Sequence, residues 1–524
     1  MSLAPAYRSS EGEGRHRRRH RPVRWLPVAA AAAAFAAGVA TADGGDTPPT
    51  IPKGAVRIDV GARAISRPVP PGFIGLSIEY RSALYYFGGD PAQPNPLFLS
   101  LVRQLTAGAS PVIRFGGDTT DWTWWATPGI ARPPGVKYTL GPRWVQATLA
   151  AAAALDARLI LGINLEADSP AVARTEAERL LMGLGRRYIA GFELGNEPEV
   201  YGTLGWYANA QGVGVPGRPG GYGFNAYLRD YARVSAALPR GVPLVGPASG
   251  APQWLTGLGR YLAADPRVGV VTFHRYPLHR CFTPRNTPTY PTIGNLLSAA
   301  ASSGPADSLQ TAVQVAHARG LPFRSDELNS VSCGGARGVS DTFASALWAL
   351  DTLFNMARVG VDGVNIHTFR NAIYEPFAFR YAHGRWTASV RPMYYGMLLF
   401  TRAAPPGARL LATTAPAGGD PRVWATRAPD GRVRVVLLNE SLRHWVTTAV
   451  LVPGSPSGAN AQRLRAPRMG AKRGVTLAGQ SFGSTTTTAV LTGSRHVYAL
   501  SPVQGRFVVR LPPASATLVT VSGP

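Results

Sequence analysis

Cysteine is almost absent from this chain of 524 residues, with Cys281 and Cys333 the whole supply. Two thiols make a poor zinc site, so the sequence calls for no metal, and no cofactor motif stands beside them. Acidic residues are scarce as well: 29 Asp and Glu face 54 Lys and Arg, a formal net charge of +25. No helix-turn-helix, zinc-ligand or RNA-reading pattern accompanies that charge, and beyond the N-terminus the arginines are scattered, which argues against nucleic acid as a partner. No internal repeat is evident. Charged residues make up 16% and hydrophobic ones 45%, the balance of an ordinary globular protein, and 59 Gly with 46 Pro imply many turns rather than disorder.

Only one long apolar run is present. Residues 15–24 are densely basic, residues 25–42 are apolar and Ala-rich, and Ala40-Thr41-Ala42 precedes Asp43. That order reads as a secretory signal over 1–42, the alternative being a retained anchor at the short limit for a span. A linker over 43–54 follows. Seven arginines against Glu11 and Glu13 give the leader +5 of the net charge, leaving +20 on the exported chain. Such a field attracts polyanions, an acidic polysaccharide included. The expected location is secreted or extracellular, with cell-envelope association as a variant and no stable membrane association after cleavage.

Chemistry is concentrated at two strand ends. Residues 188–194 read as a strand buried on both faces that breaks at Asn196-Glu197-Pro198, and Pro198 stops pairing because it lacks an N–H. Residues 321–330 form a second short strand ending at Glu327 and running into a Ser/Cys/Gly-rich loop at 331–335. The two glutamates lie 130 positions apart, which at roughly 35 to 45 residues per βα unit is about three units, hence strands four and seven of a (β/α)8 barrel. Such strands can bring carboxyl groups to about 5 Å, the separation that retaining glycosidases use.

The remaining elements fit that architecture. Barrel strands are expected at 73–79, 111–116, 158–164, 243–247, 268–274 and 363–367, with helices at 97–105, 144–155, 311–319 and 393–401. Beyond about Pro405 the pattern turns to short alternating runs, so an all-β sandwich of about eight strands is expected, taking up the N-terminal segment Val56-Arg57-Ile58-Asp59-Val60 as one strand. The domains are then 55–70 for that strand, 71–403 for the barrel and 404–524 for the sandwich. The sandwich either covers the barrel or binds carbohydrate itself. Cys281 and Cys333 follow neighbouring strand ends, where they form a disulfide bracing two loops or stay as separate buried thiols.

Asn196-Glu197-Pro198, Glu327 followed by Gly334-Gly335, and Arg114-Phe115-Gly116-Gly117-Asp118-Thr119-Thr120-Asp121 together resemble glycoside hydrolase family 79, the heparanase and β-glucuronidase family, over about residue 55 to the C-terminus. The resemblance implies Glu327 as nucleophile, Glu197 as acid/base and Asn196 on the sugar 2-OH. It places His274 and Tyr276 around the nucleophile, Gly334 and Tyr374 on a uronate carboxylate, and Glu79 and Asp118 on sugar hydroxyls. Arg114 reads as the structural partner of a carboxylate. The chain departs from heparanases proper in having Ser332 and Cys333 where they carry a Tyr near the second loop glycine, and it lacks extended basic clusters. An exo-β-glucuronidase that accepts 4-O-methylated glucuronate on an oligosaccharide or polysaccharide is therefore the expected activity. Gly/Pro-rich loops at 126–138 and 209–222 are expected to wall the cleft. An endo-acting heparanase-like enzyme, a barrel glycosidase for neutral sugars and a non-catalytic glycan binder are the alternatives.

Overall fold

Eight β-rich segments pair in parallel to close a barrel. They are β2 (Ile74–Glu79), β3 (Val112–Gly116), β4 (Arg158–Ile163), β5 (Ile189–Leu194), β6 (Leu244–Ser249), β7 (Val268–Arg275), β8 (Phe323–Leu328) and β9 (Gly363–Thr368), each bonded to its sequence neighbours and β9 back to β2. The computed structural model describes residues 50–281, 283–414 and 420–522; the leader expected over 1–42 and most of the linker lie outside them. Among the described residues no helix is long and apolar enough to cross a membrane.

Strand sequence explains the two layers. Along β2, β3, β7 and β9 one set of alternate residues, Leu76 and Ile78, Ile113 and Phe115, Val271 and Phe273, Ile366, belongs to the main hydrophobic core beneath the helices. The other set is polar: Ser77, Arg114, Thr272 and His367 meet Glu193 and Glu327 inside the barrel. Helices Pro96–Leu105 (α1), Pro142–Leu155 (α2), Pro170–Leu184 (α3) and Phe224–Ser235 (α4) pack their apolar faces on the outside. Asn95 and Ser169 cap α1 and α3 by accepting first-turn N–H groups.

Strand β8 departs from regular alternation. Its register with β7 shifts between the Thr272 and His274 pairings, and with β9 between Ser325 and Leu328. The irregularity turns two consecutive acids, Asp326 and Glu327, toward the same interior groups, where a regular strand would send them to opposite faces.

Helices Phe343–Arg358 (α5) and Pro392–Ala403 (α6) carry the C-terminal sheet. Its main strands are β10 (Arg409–Thr414), β11 (Arg422–Arg427), β12 (Val433–Asn439), β13 (Val446–Leu451), β14 (Ala459–Arg465), β15 (Phe507–Leu511) and β16 (Ser515–Val521). The N-terminal strand β1 (Val56–Ala64) joins them, antiparallel to β10 and parallel to β13. Where a sandwich of about eight strands was expected, ten strands form one continuous sheet, the additions being the short segments Thr476–Leu477 and Tyr498–Leu500. The sheet curls over its own core of Ile58, Val435, Leu437, Val450, Val509 and Val519, while Val436, Leu438, Leu464 and Leu518 on its other face join the barrel core.

One polar anchor fixes sheet to barrel. Arg422 on β11 pairs with the buried Asp351 of α5 and with Glu440 at 3.0 Å, and Trp424 donates its indole N–H to Asp351 while stacking on Phe354. Replacing Arg422 by Ala would leave two carboxylates without their cation, and the expected loss is about 3 kcal/mol. Chemical denaturation checks this: an unchanged midpoint would show that the anchor carries no stability.

Candidate active site

The site is assembled around a guanidinium with no exposure to solvent. Arg114 on β3 reaches across the barrel axis, placing Nε 2.5 Å from Glu193 Oε2 and 3.1 Å from Asp326 Oδ2. Its Nη1 donates to Glu327 Oε2 at 2.7 Å and to Ser77 Oγ at 3.1 Å, and Nη2 donates to the amide oxygen of Asn196 at 3.0 Å. A buried cation is tolerated only when paired and hydrogen-bonded, and here every acceptor is supplied by a barrel strand or the turn just after one. Burial and the charge of Glu193 push the Asp326 carboxyl well above the usual carboxylate range. Glu193 is held low by Arg114 even though burial opposes it.

Glu327 is held as an anion. Burial alone would raise its pKa, but the charges of His367, His274 and Arg114, with a hydrogen bond from Tyr276 to Oε1 at 2.8 Å, hold it well below the usual range. His274 Nδ1 lies 3.0 Å from Glu197 Oε1 and 4.0 Å from Glu327 Oε2. Burial disfavours the charged ring, yet Glu327, Glu197 and Asp326 together raise its pKa to about 9. Carboxylate oxygens of Glu197 and Glu327 and a nitrogen of His274 all fall within 4.8 Å of one another. Such a trio could embrace a cation, but Arg114 and the two histidines already balance its negative charge. Glu197 itself has φ of 46°, a left-handed conformation rare outside glycine, fixed by its backbone N–H donating to Ala248 O at 2.8 Å.

These groups open into a cleft of about 910 Å³ at the C-terminal end of the barrel. Glu79, Asp118, Glu197, His274, Tyr276, Glu327, Gly334 and Tyr374 all line it, as do Cys281 and Cys333, which are joined with Cα atoms 6.3 Å apart. Asn196 lies behind Glu197, its backbone N–H on Asp121. Glu79 accepts the Thr119 N–H at 2.9 Å and lies 3.6 Å from His367. Asp118 touches solvent within the cleft but is ringed by protein, and lost hydration with the charges of Glu79, Glu197 and Glu327 pushes its pKa up to about 7. The loops 126–138 and 209–222 do not line the cleft, contrary to expectation. Arg218 explains the second: it bonds Leu165 O, Glu166 O and Asp230, pulling its loop onto the one after β4. The end of β7 with the loop to Cys281, and the short helices Ala299–Ser302 and Gly304–Asp307, take the walling role instead.

Sequence reading passes over several members of the site. His367 and Glu193 give no motif, only a polar residue in a largely apolar strand, and Asp326 is lost within the polar run Arg324-Ser325-Asp326-Glu327. Asp121 also stands out only in the folded chain: fully enclosed, it accepts from Leu165 N, Glu166 N, Asn196 N and Tyr201 Oη at 2.7 to 3.1 Å, tying together the loops after β3, β4 and β5.

With this geometry established, comparison with known proteins adds a chemical class. The chain is 26% identical over 458 residues to a β-glucuronidase of Neurospora crassa, covering 77% of this chain and 78% of the relative. It is 23% identical over 420 residues to a β-glucuronidase of Aspergillus niger, covering 71% and 72%. The chain is a glycoside hydrolase. No family model matches it. The hydrolase shares its fold with a 4-O-α-L-rhamnosyl-β-D-glucuronidase of Fusarium oxysporum, at a TM-score of 0.66 and 20% identity over 89% of this chain and all of that one. A GH51 arabinofuranosidase of Xanthomonas axonopodis pv. citri follows at 0.62 and 15%, again over 89% and 100%.

Two outcomes follow from the charges around His274. In a Glu327→Gln hydrolase the ring should titrate at lower pH than in the native enzyme, because its strongest anionic neighbour is gone; NMR of the ring nitrogens measures this, and an unmoved titration would refute the coupling. Its folded-state pKa of about 9 lies above the ordinary 6.5, so this ring's contribution to stability is complete below pH 6.5 and is lost as pH rises through about 9. In the native enzyme, then, this group should lower the denaturation midpoint between those pH values, and in Glu327→Gln the fall should be smaller.

Proposed function

We propose that this chain is a secreted, retaining exo-β-glucuronidase of the glycoside hydrolase 79 type. It removes terminal glucuronic acid, 4-O-methylated forms included, from glycans by double displacement. The observation that carries the reading is the Glu197–Glu327 pair: carboxylate oxygens within 4.8 Å, with Glu327 held anionic. That spacing leaves no room for a water between acid and sugar face, as inversion would need, but suits direct attack. The names of the two fungal relatives supply the sugar.

In this mechanism a Glu327 oxygen attacks the anomeric carbon while the bond to the leaving oxygen breaks and Glu197 delivers its proton there. An ester links sugar to Glu327. Water then attacks the same carbon, giving its proton to Glu197, and the ester bond breaks to restore Glu327. Positive His274 sits against Glu197 Oε1, ready to stabilise the carboxylate each time it has given up its proton. Tyr276 and Arg114 fix both Glu327 oxygens, so attack needs little reorganisation. For the uronate carboxylate, Cys333, Gly334 and Gly335 all have positive φ, and their backbone N–H groups have no partner among the described residues. Such amides can bind an anion, with Tyr374 packed beside Gly335 on the cleft lining. The same reading gives the chain a leader at 1–42, a linker at 43–54, a barrel over 71–403 and a sheet domain over 404–524 that includes the strand at 55–70.

An aryl glycoside panel tests it. p-Nitrophenyl β-glucuronide should be hydrolysed faster than the corresponding xyloside or arabinofuranoside, with the anomeric configuration retained in the product. Glu327→Gln should lose about 10⁴-fold in kcat. Glu197→Gln should lose less on this activated leaving group than on a glycan, because nitrophenolate departs without a proton. Faster turnover of the arabinofuranoside would instead favour the chemistry named for the Xanthomonas neighbour.

A further inference from the structure

A second cavity, of about 1120 Å³, lies where the C-terminal sheet meets the barrel. Only a thin ridge, residues 299–308, separates it from the cleft: Ala299, Ser302 and Ser303 line the cavity, whereas Ala300, Gly304, Pro305 and Ser308 line the cleft. Exposed Ala299 and Ala300 make a ridge without long side chains. The ridge belongs to the Glu197 side of the cleft. Ser308 accepts from Arg275 Nε at 2.8 Å, and Arg275 Nη1 donates to Gly250 O at 3.2 Å. A Cβ built on Gly250 would lie 3.1 Å from Glu197 Oε1, so Arg275 and Gly250 connect the ridge to the acid.

The cavity's lining has the chemistry of a carbohydrate site. Trp445 is 49% exposed and Leu442 65%, a large apolar pair left open to water. The Arg510 guanidinium sits 4.4 Å from the Trp445 ring centroid, holding the indole in place. Glu440 is nearly buried, with Oε2 on Arg422 and Oε1 without a partner. Arg465 and Arg468 are exposed, and neither guanidinium has a hydrogen bond or carboxylate partner among the described residues. Asp351 and Glu440 share Arg422 and Asp420 is a third acid in the lining, so the cavity is formally neutral, with Arg465 and Arg468 as its unpaired cations among the described residues. An indole face stacks on pyranose C–H groups, while unpaired guanidinium groups recognise carboxylate or sulfate.

We propose that this cavity is a distal subsite for the leaving-group chain of an anionic polysaccharide. That chain passes from the cleft over the alanine ridge, stacks on Trp445 and pairs its acidic units with Arg465 and Arg468. The direction rests on the proposed role of Glu197 as acid, because the leaving chain must depart on the acid's side. The consequence is a preference for long acidic glycans over small glucuronides.

Unsulfated chondroitin fragments with a terminal β-glucuronate are the probe. In Glu327→Gln, calorimetry should show the octasaccharide binding about tenfold tighter than the disaccharide, equal to about 1.4 kcal/mol. Adding Trp445→Ala, or Arg465→Glu with Arg468→Glu, should bring the octasaccharide down to the disaccharide's affinity. In the active enzyme the same substitutions should leave kcat/KM for p-nitrophenyl β-glucuronide within twofold, which also reports correct folding. An octasaccharide that binds no tighter than the disaccharide, no binding of either, or a length preference surviving both variants would overturn the distal subsite. Failure to hydrolyse the aryl glucuronide would overturn the proposed activity instead, and the length dependence of binding would still decide the subsite.

Discussion

A single buried guanidinium organises this molecule. Arg114 has no contact with water, and from β3 its guanidinium reaches partners on strands β2, β5 and β8 and in the turn after β5. Removing its water would be prohibitively costly without anions, and two anions so close would repel without the cation, so each explains the other. Its backbone neighbourhood is cleared to fit. A Cβ on Gly116 would collide with the guanidinium, and one on Gly117, at φ of 71°, would sit 2.5 Å from Glu79 Oε1. The Arg-Phe-Gly-Gly run is therefore a packing necessity before it is a signature.

From that hub the charges sort themselves by distance. Glu327 is gripped through both oxygens and stays anionic, whereas Glu197, on a left-handed residue beyond the strand, keeps an oxygen on His274 and exposes more of its side chain. Two carboxyl groups of the same kind thus acquire different surroundings, the usual basis for dividing labour between them. Asp121 fixes the loops after three successive strands from one buried side chain, so the Glu197 loop is braced from behind rather than by the loops expected to cover it. The joined Cys281 and Cys333 tie the loops after β7 and β8 at the opposite wall.

Much of the fold was legible because its signals are local. Most of the barrel strands read as short, largely apolar runs, and all eight lie within two residues of where they are expected, β8 being betrayed by its ending at Glu327 and the Ser/Cys/Gly-rich loop beyond it rather than by apolar content. The helices expected at 144–155 and 393–401 are found and begin at Pro142 and Pro392, where the fixed φ of proline suits a first helical turn, whereas the helix from Pro170 was not anticipated. The Val56 strand could be assigned to the C-terminal sheet, but not its place between β10 and β13, since register across some 350 residues leaves no local trace. Misreading the loops 126–138 and 209–222 had a similar cause. Gly and Pro content announces a loop, not the side chain, here Arg218, that decides where it lies.

Within the site the boundary is equally physical. Sequence by itself determined the barrel, its sheet companion and two glutamates at strand ends, because periodicity and a terminating proline act over a few residues. Only the tertiary structure decided that Asp326 and Glu327 both turn inward, that His274 serves Glu197 while Tyr276 serves Glu327, and that His367 completes the charge balance. Those outcomes depend on a strand irregularity and on electrostatics among five strands. Neither is written in any single stretch of chain.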